Sequence, residues 1–454
     1  MMNITAFIFG IACGFCGPHL ELFKSDASPL ASGKITLDEE SWISSIMAFG
    51  AIGSVLPFGW ISERFGRKIA ILLIGIPQTA SWVYMACATT VHHIYMSRFL
   101  SGIAGAGIFF VVPVYVAEIS DKKIRGFLCT VISVVCNMGI FLEFILAEYV
   151  DFRDVAKVLV VISIIFIVGF AFMPETPQYL VSKKNVVEAE VAFKYYRGLS
   201  PKDALPEHLV DDFNAIKKIG EGDDQNLKGL ASLTDHIRKP GVLKGILMAT
   251  VVSHFPVLSG CFVFITFNQG IFKAADISVL SVFWSSLAFA FIQIIASMVT
   301  AKFVDRLGRR TILIWSSFAT AFCLAIFGVY MFLKDQLVLD FKSIPWITWI
   351  PLLSFLFEVL TSNVGIISVP NFYAPEILDQ KIRSLVFSIC SWWSWIVGFL
   401  MIKYYPFIEL SIGLHGVMLS FSALCIFCGT FTLFVLPETK GRSIEEIALS
   451  IMKK

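Results

Sequence analysis

Two short loops of the chain repeat a pattern of acid, arginine and glycine that suits directed ion pairs. The first loop reads Glu-Arg-Phe-Gly-Arg at residues 63–67, and the second reads Asp-Arg-Leu-Gly-Arg at residues 305–309. Arginine binds carboxylates through parallel N–H donors, so its pairs have a defined geometry. The glycine permits a tight turn between the charges. Both loops therefore indicate sites where charged pairs hold one conformation of the molecule.

Acidic residues accompany the two loops at matching places. Glu118 precedes Arg125 by seven residues, Glu376 precedes Arg383 by the same interval, and Pro-Glu-Thr occurs at 174–176 and again at 437–439. We predict that these charges clasp two halves of the chain together in one of its conformations. The alternative is that the basic residues only set the topology. The gating candidates are Glu63, Arg64, Arg67, Glu118, Arg125, Glu175, Asp305, Arg306, Arg309, Glu376, Arg383 and Glu438.

Other familiar kinds of reactive site find no support in the sequence. All ten cysteines lie in apolar runs, and the two Cys-x-x-Cys pairs (13/16 and 425/428) have no histidine or carboxylate in a ligand-like arrangement beside them. We interpret them as small hydrophobic residues and expect no structural disulfide. No nucleotide-binding loop and no nucleophile–base pair occurs. We therefore expect neither a cofactor nor enzymatic activity.

The composition excludes an ordinary soluble domain. Hydrophobic residues make up 57% of the 454 residues and charged residues only 15%, whereas a soluble globular domain carries about 25% charge. The formal net charge of +2 gives no reason to expect a nucleic-acid partner. A membrane span needs roughly 20 mostly apolar residues. Twelve such runs occur, near residues 4–20, 43–62, 69–90, 94–117, 127–147, 157–174, 243–272, 279–301, 311–333, 346–373, 384–404 and 411–436.

A polar interval divides these runs into two sets of six. We predict an all-α membrane protein with halves at 1–174 and 241–437, a helical loop at 175–240, and a tail at 438–454. The repeated motifs fall on the same membrane side in both halves, which is typical of a parallel repeat. Lysine and arginine are more frequent in the loops on that side, which predicts that both termini are cytoplasmic.

Few ionisable residues interrupt the apolar runs. Glu143 lies in the fifth run and Glu358 in the tenth. A charge inside a membrane is costly, and such residues often mark functional sites. Glu143 is therefore a candidate proton site, and snorkelling to the membrane surface is the alternative. Glu358 has the same two interpretations.

Four motifs together resemble those of the sugar porter family of the major facilitator superfamily. The resemblance covers nearly the whole chain, and residues 37–42 are most similar to the insect-type facilitated trehalose and hexose transporters. It implies alternating access by two six-helix halves around a central sugar. The motifs are Gly-x-x-x-acid-Arg-x-Gly-Arg-Lys at residues 59–68, Pro-Val-Tyr-Val-Ala-Glu at 113–118 with Arg-Gly at 125–126, Pro-Glu-Thr-Pro-Gln-Tyr-Leu at 174–180, and Pro-Glu-Thr-Lys-Gly at 437–441.

The sugar site implied by the resemblance is altered in this chain. In relatives, span 7 carries two glutamines and an asparagine that bind sugar hydroxyls, where this chain has Pro256, Val257 and Phe262. Hydroxyls leave water only when they find partners, so these changes disfavour a standard hexose site. A rebuilt site would accept another sugar, a polyol or a less polar solute. Its candidate residues are Gln293, Asn371, Trp395, Ser394, Ser133, Asn137, Thr266 and Asn268, with Gln269, Asn363 and Tyr373 as further polar groups.

We expect facilitative transport of a sugar, trehalose or a hexose, across the plasma membrane, with the bilayer and a small polar solute as partners. The aspartate that proton-coupled relatives carry in span 1 has no counterpart near Ala12, which favours uniport. Three alternatives remain open: a proton-coupled carrier using Glu143, a carrier of a solute other than a sugar, and a transporter-like sensor without turnover.

Overall fold

The computed structural model describes residues 2–121, 125–200, 205–222, 240–277, 280–336, 347–379 and 382–440, and the regular secondary structure of these residues is helical. The first half contains α1 (Met2–Gly14), α2 (Cys16–Lys24), α3 (Leu37–Arg64), α4 (Arg67–Ala86), α5 (Val91–Ile119), α6 (Arg125–Tyr149) and α7 (Phe152–Ala171). Three shorter helices follow, α8 (Pro177–Ser182), α9 (Val186–Tyr196) and α10 (Glu207–Gly222). The second half contains α11 (Pro240–Ser253), α12 (Phe255–Leu258), α13 (Cys261–Ala274), α14 (Val282–Leu307), α15 (Arg309–Gln336), α16 (Trp349–Ser362), a π-helical turn (Asn363–Ile367), α17 (Pro370–Ile377) and α18 (Arg383–Phe434).

The described residues contain eleven helical segments that are long and apolar enough to cross a membrane. The last of them, Leu385–Phe434, is 50 residues long, which at about 1.5 Å per residue is more than twice the roughly 30 Å hydrocarbon thickness. Its helix breaks at Gly413, where φ is 72°. The parts on either side pack against different helices, because Trp392 bonds to α3 and Ser422 to α15. This segment is two spans, and the predicted twelve spans are confirmed.

Helix α3 shows how the sequence sets a boundary at one membrane face. Thr36 and Glu39 form a capping box, in which the Thr36 amide donates to the Glu39 carboxylate at 2.8 Å and the Thr36 hydroxyl accepts from the Glu39 amide at 3.3 Å. Asp38, Glu39 and Glu40 stand in the first turn, where the helix dipole favours negative charge. The cap therefore places Asp38 and Glu39 at this face, whereas Glu40 is buried and accepts a hydrogen bond from Lys24.

Two spans are broken in the described structure. The seventh is interrupted around Gly260, which adopts a left-handed φ of 85°. The tenth passes through the π-helical turn before α17 starts at Pro370. Proline and positive-φ glycine both interrupt the helical hydrogen-bond ladder. Broken helices in carriers free backbone groups near solute sites.

The halves meet unevenly across the membrane. We call the face where α3 ends and α15 begins the basic face, and the face where α2 ends and α3 begins the opposite face. One buried apolar cluster joins both halves and includes Phe15, Phe152, Phe264 and Phe267. Two other buried clusters each stay within one half. The second of these contains residues of α11, α17 and α18 that lie near the basic face.

Candidate functional site

At the basic face of the first half, Glu118 joins three elements. The Arg67 Nε donates to Glu118 Oε1 at 3.0 Å, and Arg67 Nη2 lies 2.9 Å from the same oxygen. The other carboxylate oxygen accepts a hydrogen bond from the Thr176 hydroxyl at 2.5 Å. The pair is mostly buried, so the carboxylate at the end of α5 fastens the start of α4 to the segment after α7.

Glu175 caps the start of α4. Its carboxylate accepts from the Lys68 amide at 3.0 Å and from the Thr176 amide at 2.8 Å, and a helix N-terminus favours such a charge. Burial raises the pKa of Glu175, and the two amide donors act in the opposite direction. Gly66 turns here with φ of 108°, and a Cβ on it would lie 2.1 Å from the Glu175 carboxylate. Only glycine fits this contact.

The second half repeats this arrangement. Arg309 Nη2 lies 3.5 Å from Glu376 Oε1, and the Thr439 hydroxyl donates to the other oxygen of Glu376 at 2.6 Å. Glu438 caps α15 by accepting from the Arg309 amide at 3.1 Å. Gly308 turns with φ of 91° beside Glu438. The sequence repeat therefore corresponds to the same local structure in both halves.

The remaining gating candidates have other surroundings. Glu63 is exposed, and the Arg64 guanidinium lies 5.3 Å from the centre of the Trp60 ring. Arg383 Nη2 lies 3.4 Å from the Leu378 carbonyl oxygen. The side chains of Arg125, Asp305 and Arg306 lie outside the part of the chain that the structure describes.

The described ion pairs among the gating candidates each lie within one half. The clasp between halves that the sequence predicts belongs to a state in which the solute site faces away from the basic face. In this structure the halves meet at the opposite face instead. The gating roles therefore stay predictions.

At the opposite face, ion pairs cross from one half to the other. Lys403 Nζ of α18 lies 3.2 Å from Asp38 Oδ1 of α3 and 3.9 Å from the centre of the Trp42 ring. Lys273 Nζ of α13 lies 3.0 Å from Glu21 Oε2 of α2. These contacts hold the two halves together on this side.

A polar contact joins the halves deeper in the membrane. Asn137 Nδ2 of α6 donates to Ser297 Oγ of α14 at 2.8 Å and lies 3.4 Å from the Gln293 carbonyl oxygen. The side-chain oxygen of Gln293 is buried and has no hydrogen-bond partner among the described residues. Ser133, one helical turn before Asn137, is exposed. Three of the predicted site residues therefore lie on the two helices that form this contact.

Asn268 lies at a second contact between the halves. Its Nδ2 donates to the Ile265 carbonyl oxygen at 2.8 Å, and its Oδ1 is buried without a partner in the described structure. A Cβ on Gly17 of α2 would lie 2.8 Å from Asn268 Nδ2, so glycine allows α13 to approach α2 closely. Thr266 is bonded to its own helix, and Gln269 is half-buried.

The other predicted site residues belong to the second half. Trp395 stacks on Phe262 with ring centres 5.7 Å apart, and Ser394 Oγ lies 3.1 Å from the Ser253 carbonyl oxygen, across to α11. Phe262 thus packs an apolar ring against Trp395 at a position where the resemblance implies an amide.

The tenth span carries the last three candidates. Asn363 begins the π-helical turn and bonds back to Val359. Asn371 is exposed, and the buried Tyr373 donates its hydroxyl to the Pro437 carbonyl oxygen, near the basic face. The structure therefore groups Asn137 with Gln293, and it places Tyr373 elsewhere.

Sequence reasoning missed several residues of these contacts. Ser297 follows Gln293 by one helical turn, and that spacing on a helix face was the available signal. Thr176 and Thr439 occupy equal places in the two Pro-Glu-Thr motifs, which was the signal for their shared role. Lys273 and Lys403 carry no local signal, because their partners are far away in the sequence.

Comparison with known proteins identifies the class. Among solved structures, the inward-open conformation of the xylose transporter XylE from E. coli has a TM-score of 0.75 at 17% identity, covering 99% of this chain and 98% of that chain. The same transporter bound to 6-bromo-6-deoxy-D-glucose has a TM-score of 0.74 at 18% identity, covering 99% of this chain and 98% of that one. The chain therefore has the major facilitator fold, and the predicted fold class of two six-helix halves is confirmed.

The family model for sugar (and other) transporters matches residues 1–450, and the chain belongs to this family. The facilitated trehalose transporter Tret1 of Apis mellifera ligustica is 27% identical over 98% of this chain and 86% of that protein. The Tret1 of Culex quinquefasciatus is 29% identical, over 98% and 83%. The Tret1 of Aedes aegypti is 28% identical over 99% of this chain, which spans only 54% of that relative's length. The predicted class, a membrane transporter of the sugar-transporter family, is confirmed.

Proposed function

We propose that the chain carries a sugar, trehalose or a hexose, across the plasma membrane by alternating access. The observation that carries the proposal is the pair of buried amide oxygens on Gln293 and Asn268, which have no partner among the described residues. Both lie on helices at the contact between the halves. A buried acceptor is costly when it stays unpaired, and sugar hydroxyls are donors that would satisfy it. Facilitated trehalose transporters among the relatives support a sugar as the solute.

The two halves would move as rigid bodies. Ion pairs at the basic face lie within each half and would persist, whereas the pairs of Lys403 and Lys273 cross between halves and would break when the opposite face opens. This proposal assigns the structure to the state closed at the opposite face. In the other state, the halves would meet at the basic face, and the charged loops would hold them together while keeping their pairs within each half.

The basic face would be the cytoplasmic one. Lysine and arginine are concentrated in its short loops, and such loops usually stay in the cytoplasm. Both termini and helices α8–α10 would then be cytoplasmic. The proposed divisions of the chain are 1–174, 175–240, 241–437 and 438–454.

A less polar solute, such as a polyol, is the second candidate. Phe262 stacks on Trp395, and the buried Val257 lies on the same broken span. These side chains offer apolar surface where hydroxyl groups would need partners. A solute with fewer hydroxyls loses less on leaving water.

Uptake of labelled trehalose and glucose into oocytes that express the chain tests the proposal, with a surface-expression check. We expect saturable uptake, reduced about tenfold by Gln293→Ala, since a hydrogen bond worth about 1.4 kcal/mol corresponds to a factor of ten. Gln78→Ala is the matched control, because Gln78 is an equally buried amide inside the first half.

Each outcome distinguishes the candidates. Loss of uptake in the Gln293 variant with uptake kept in the Gln78 variant supports a sugar site at the contact between the halves. Equal loss in both variants contradicts that location. No uptake of either sugar by surface-expressed wild type contradicts the sugar proposal and favours the less polar solute or a sensor.

A further inference from the structure

Helix α9 is apolar on two sides, and one of these sides is exposed. Ala189 and Phe193 lie in a buried apolar cluster that α9 shares with α10. Val187, Val191 and Tyr195 follow one another at intervals of about one helical turn, so they form a stripe along the helix. All three are exposed, and Val187 is 77% exposed. A helix that is apolar all round is buried in protein or in a membrane, so the stripe needs a partner.

The charged residues of α9 leave this stripe uncharged. Lys194 is buried, and its Nζ lies 2.8 Å from Glu190 Oε1. Glu188 is exposed in the first turn, where the helix dipole favours a carboxylate. Lys183 and Lys184 are exposed in the turn that precedes the helix. The exposed lysines are therefore concentrated at the start of α9, next to an apolar stripe.

The last turn of α9 is fastened to the end of the sixth span. The Tyr196 hydroxyl donates to the Pro174 carbonyl oxygen at 2.7 Å, and the Tyr195 hydroxyl lies 3.6 Å from Met173 Sδ. Phe172, at the end of α7, is 83% exposed, and α7 is a candidate membrane span. The same face of α7 exposes Val158, Val161, Ile165 and Val168. The stripe on α9 therefore continues a surface that faces lipid.

The start of α9 lies near the end of the second span. Lys183 Nζ is 5.4 Å from the centre of the Tyr179 ring, and the Tyr179 hydroxyl donates to the Arg64 carbonyl oxygen at 2.9 Å. The Arg64 guanidinium lies 5.3 Å and 5.9 Å from the exposed rings of Trp60 and Phe65. Exposed aromatic rings beside arginine are typical of the membrane–water boundary. Both ends of α9 are thus held at span ends of the basic face, so the helix lies along that face.

We propose that α9 lies in the headgroup region of the bilayer at the basic face, with the stripe of Val187, Val191 and Tyr195 against acyl chains and Lys183 and Lys184 on anionic phospholipid headgroups. Helices bind membrane surfaces by burying an apolar face and by attraction of their basic residues to anionic lipids. The proposed cytoplasmic position of the basic face puts the lysines at the leaflet that carries anionic lipids. The inference does not depend on which solute the chain carries.

Quenching of a fluorescent label by lipids tests the position of the stripe. Bimane is attached at Val191→Cys in the full chain, in a Cys87→Ser background, within nanodiscs of phosphatidylcholine that include phosphatidylcholine with a nitroxide on the acyl chain. We expect quenching as strong as at Val168→Cys on the lipid-facing side of α7, and several-fold stronger than at Asn214→Cys, an exposed position of α10. Val187→Cys, one turn from Val191, repeats the measurement. Quenching at both α9 positions as weak as at Asn214→Cys would overturn the proposal.

The same label tests the contact with anionic headgroups. We expect nitroxide-labelled phosphatidylserine to quench bimane at Val191→Cys at a lower lipid fraction than nitroxide-labelled phosphatidylcholine does. Lys183→Gln combined with Lys184→Gln should lower this preference at least fivefold, the factor expected for one lysine near an anionic surface. Lys34→Gln is the matched control, because Lys34 is an exposed lysine at the opposite face. Equal quenching by both lipids, or an unchanged preference in the double variant, overturns the headgroup contact.

Discussion

The two membrane faces of this transporter use charge in different ways. At the basic face, Arg67 pairs with Glu118 and Arg309 with Glu376, and each pair stays inside one half. At the opposite face, Lys403 and Lys273 pair with acids of the other half. Pairs within a half can persist while the halves rock, whereas pairs between halves must break in every cycle. The location of a pair therefore indicates whether it fastens or gates.

The exposure of the paired side chains also differs between the two faces. Both members of the Arg67 and Glu118 pair are mostly buried, at 19% and 8% exposed. Each crossing pair has one exposed member, Lys273 or Asp38 at 69%, and one mostly buried member, Glu21 at 19% or Lys403 at 12%. Breaking a buried pair is strongly destabilising, but an exposed pair contributes less than about 1 kcal/mol. The crossing pairs are therefore only partly buried, and each should cost less to break than the pair of Arg67 and Glu118.

Charge reversal at Arg67 should have the largest effect. Arg67→Glu places two carboxylates together in a mostly buried site, and we expect the free energy of unfolding to fall by about 3 kcal/mol and transport to be lost. Thermal unfolding in detergent and surface expression measure this. Arg67→Glu combined with Glu118→Arg should recover part of the stability. Wild-type stability and transport in the single variant would contradict the fastening role.

The sequence located the charged residues of the basic face because its signals there are local, but it did not predict that the described pairs would each lie within one half. Gly66 and Gly308 stand at equal places in the two loops, and each lies beside the acid of a Pro-Glu-Thr motif in the structure. The sequence could not specify which helix each arginine would meet. Glu118 is 51 residues from Arg67, and only the packing of α4 on α5 brings the two together.

Removal of a tyrosine hydroxyl from each half compares the halves directly. Tyr115 and Tyr373 both bond to the proline of a Pro-Glu-Thr motif, at Pro174 and Pro437. Tyr196 also donates to Pro174, at 2.7 Å. We therefore expect Tyr373→Phe to lower the free energy of unfolding by about 1.5 kcal/mol and Tyr115→Phe by about 0.5 kcal/mol. Thermal unfolding of both variants measures the difference, and a larger loss for Tyr115→Phe would reject this explanation.

Lys403→Glu should open the opposite face. The change removes a cation–π contact and an ion pair worth about 1 kcal/mol together, which is roughly a fivefold shift in population. Labelling of Ser41→Cys by a membrane-impermeant maleimide, in a Cys87→Ser background, measures this, because Ser41 is buried and donates to the Lys403 carbonyl oxygen.

Two further variants test the meaning of that labelling. Lys34→Glu is the control, since Lys34 pairs with Asp26 inside the first half and should leave labelling unchanged. Asp38→Lys combined with Lys403→Glu should reverse most of the increase. If Lys34→Glu raises labelling as much as Lys403→Glu does, surface charge in general and not the crossing pair controls the opposite face.

The candidate solute site was harder to predict than the helices. Periodic apolar runs fix the spans, but polar residues within them have several possible neighbours. Asn137 and Gln293 are 156 residues apart, and the packing of α6 on α14 brings them together. Tyr373 carries a hydroxyl group that could bind a solute. The tenth span instead places it beside Pro437, to whose carbonyl oxygen the hydroxyl donates. The sequence identified Glu143 as an ionisable residue within a span. It did not predict that His19 Nδ1 would lie 3.7 Å from the Glu143 carboxylate.

Lys273→Glu should have the smallest effect on the opposite face. Lys273 is largely exposed, and its partner Glu21 also pairs with Lys24 at 2.6 Å. Removal of the crossing pair therefore leaves Glu21 with a neighbour of opposite charge. We expect less than a twofold rise in Ser41→Cys labelling, which corresponds to under about 0.5 kcal/mol. Because exposed charges are screened within about 8 Å at physiological ionic strength, the rise should fade in high salt, while the basic-face pair of Arg67 and Glu118 should respond little. Lys273→Glu would contradict this expectation by raising labelling as much as Lys403→Glu does, and equally at low and high salt. That result would mean that the burial of the lysine does not determine how much each crossing pair contributes.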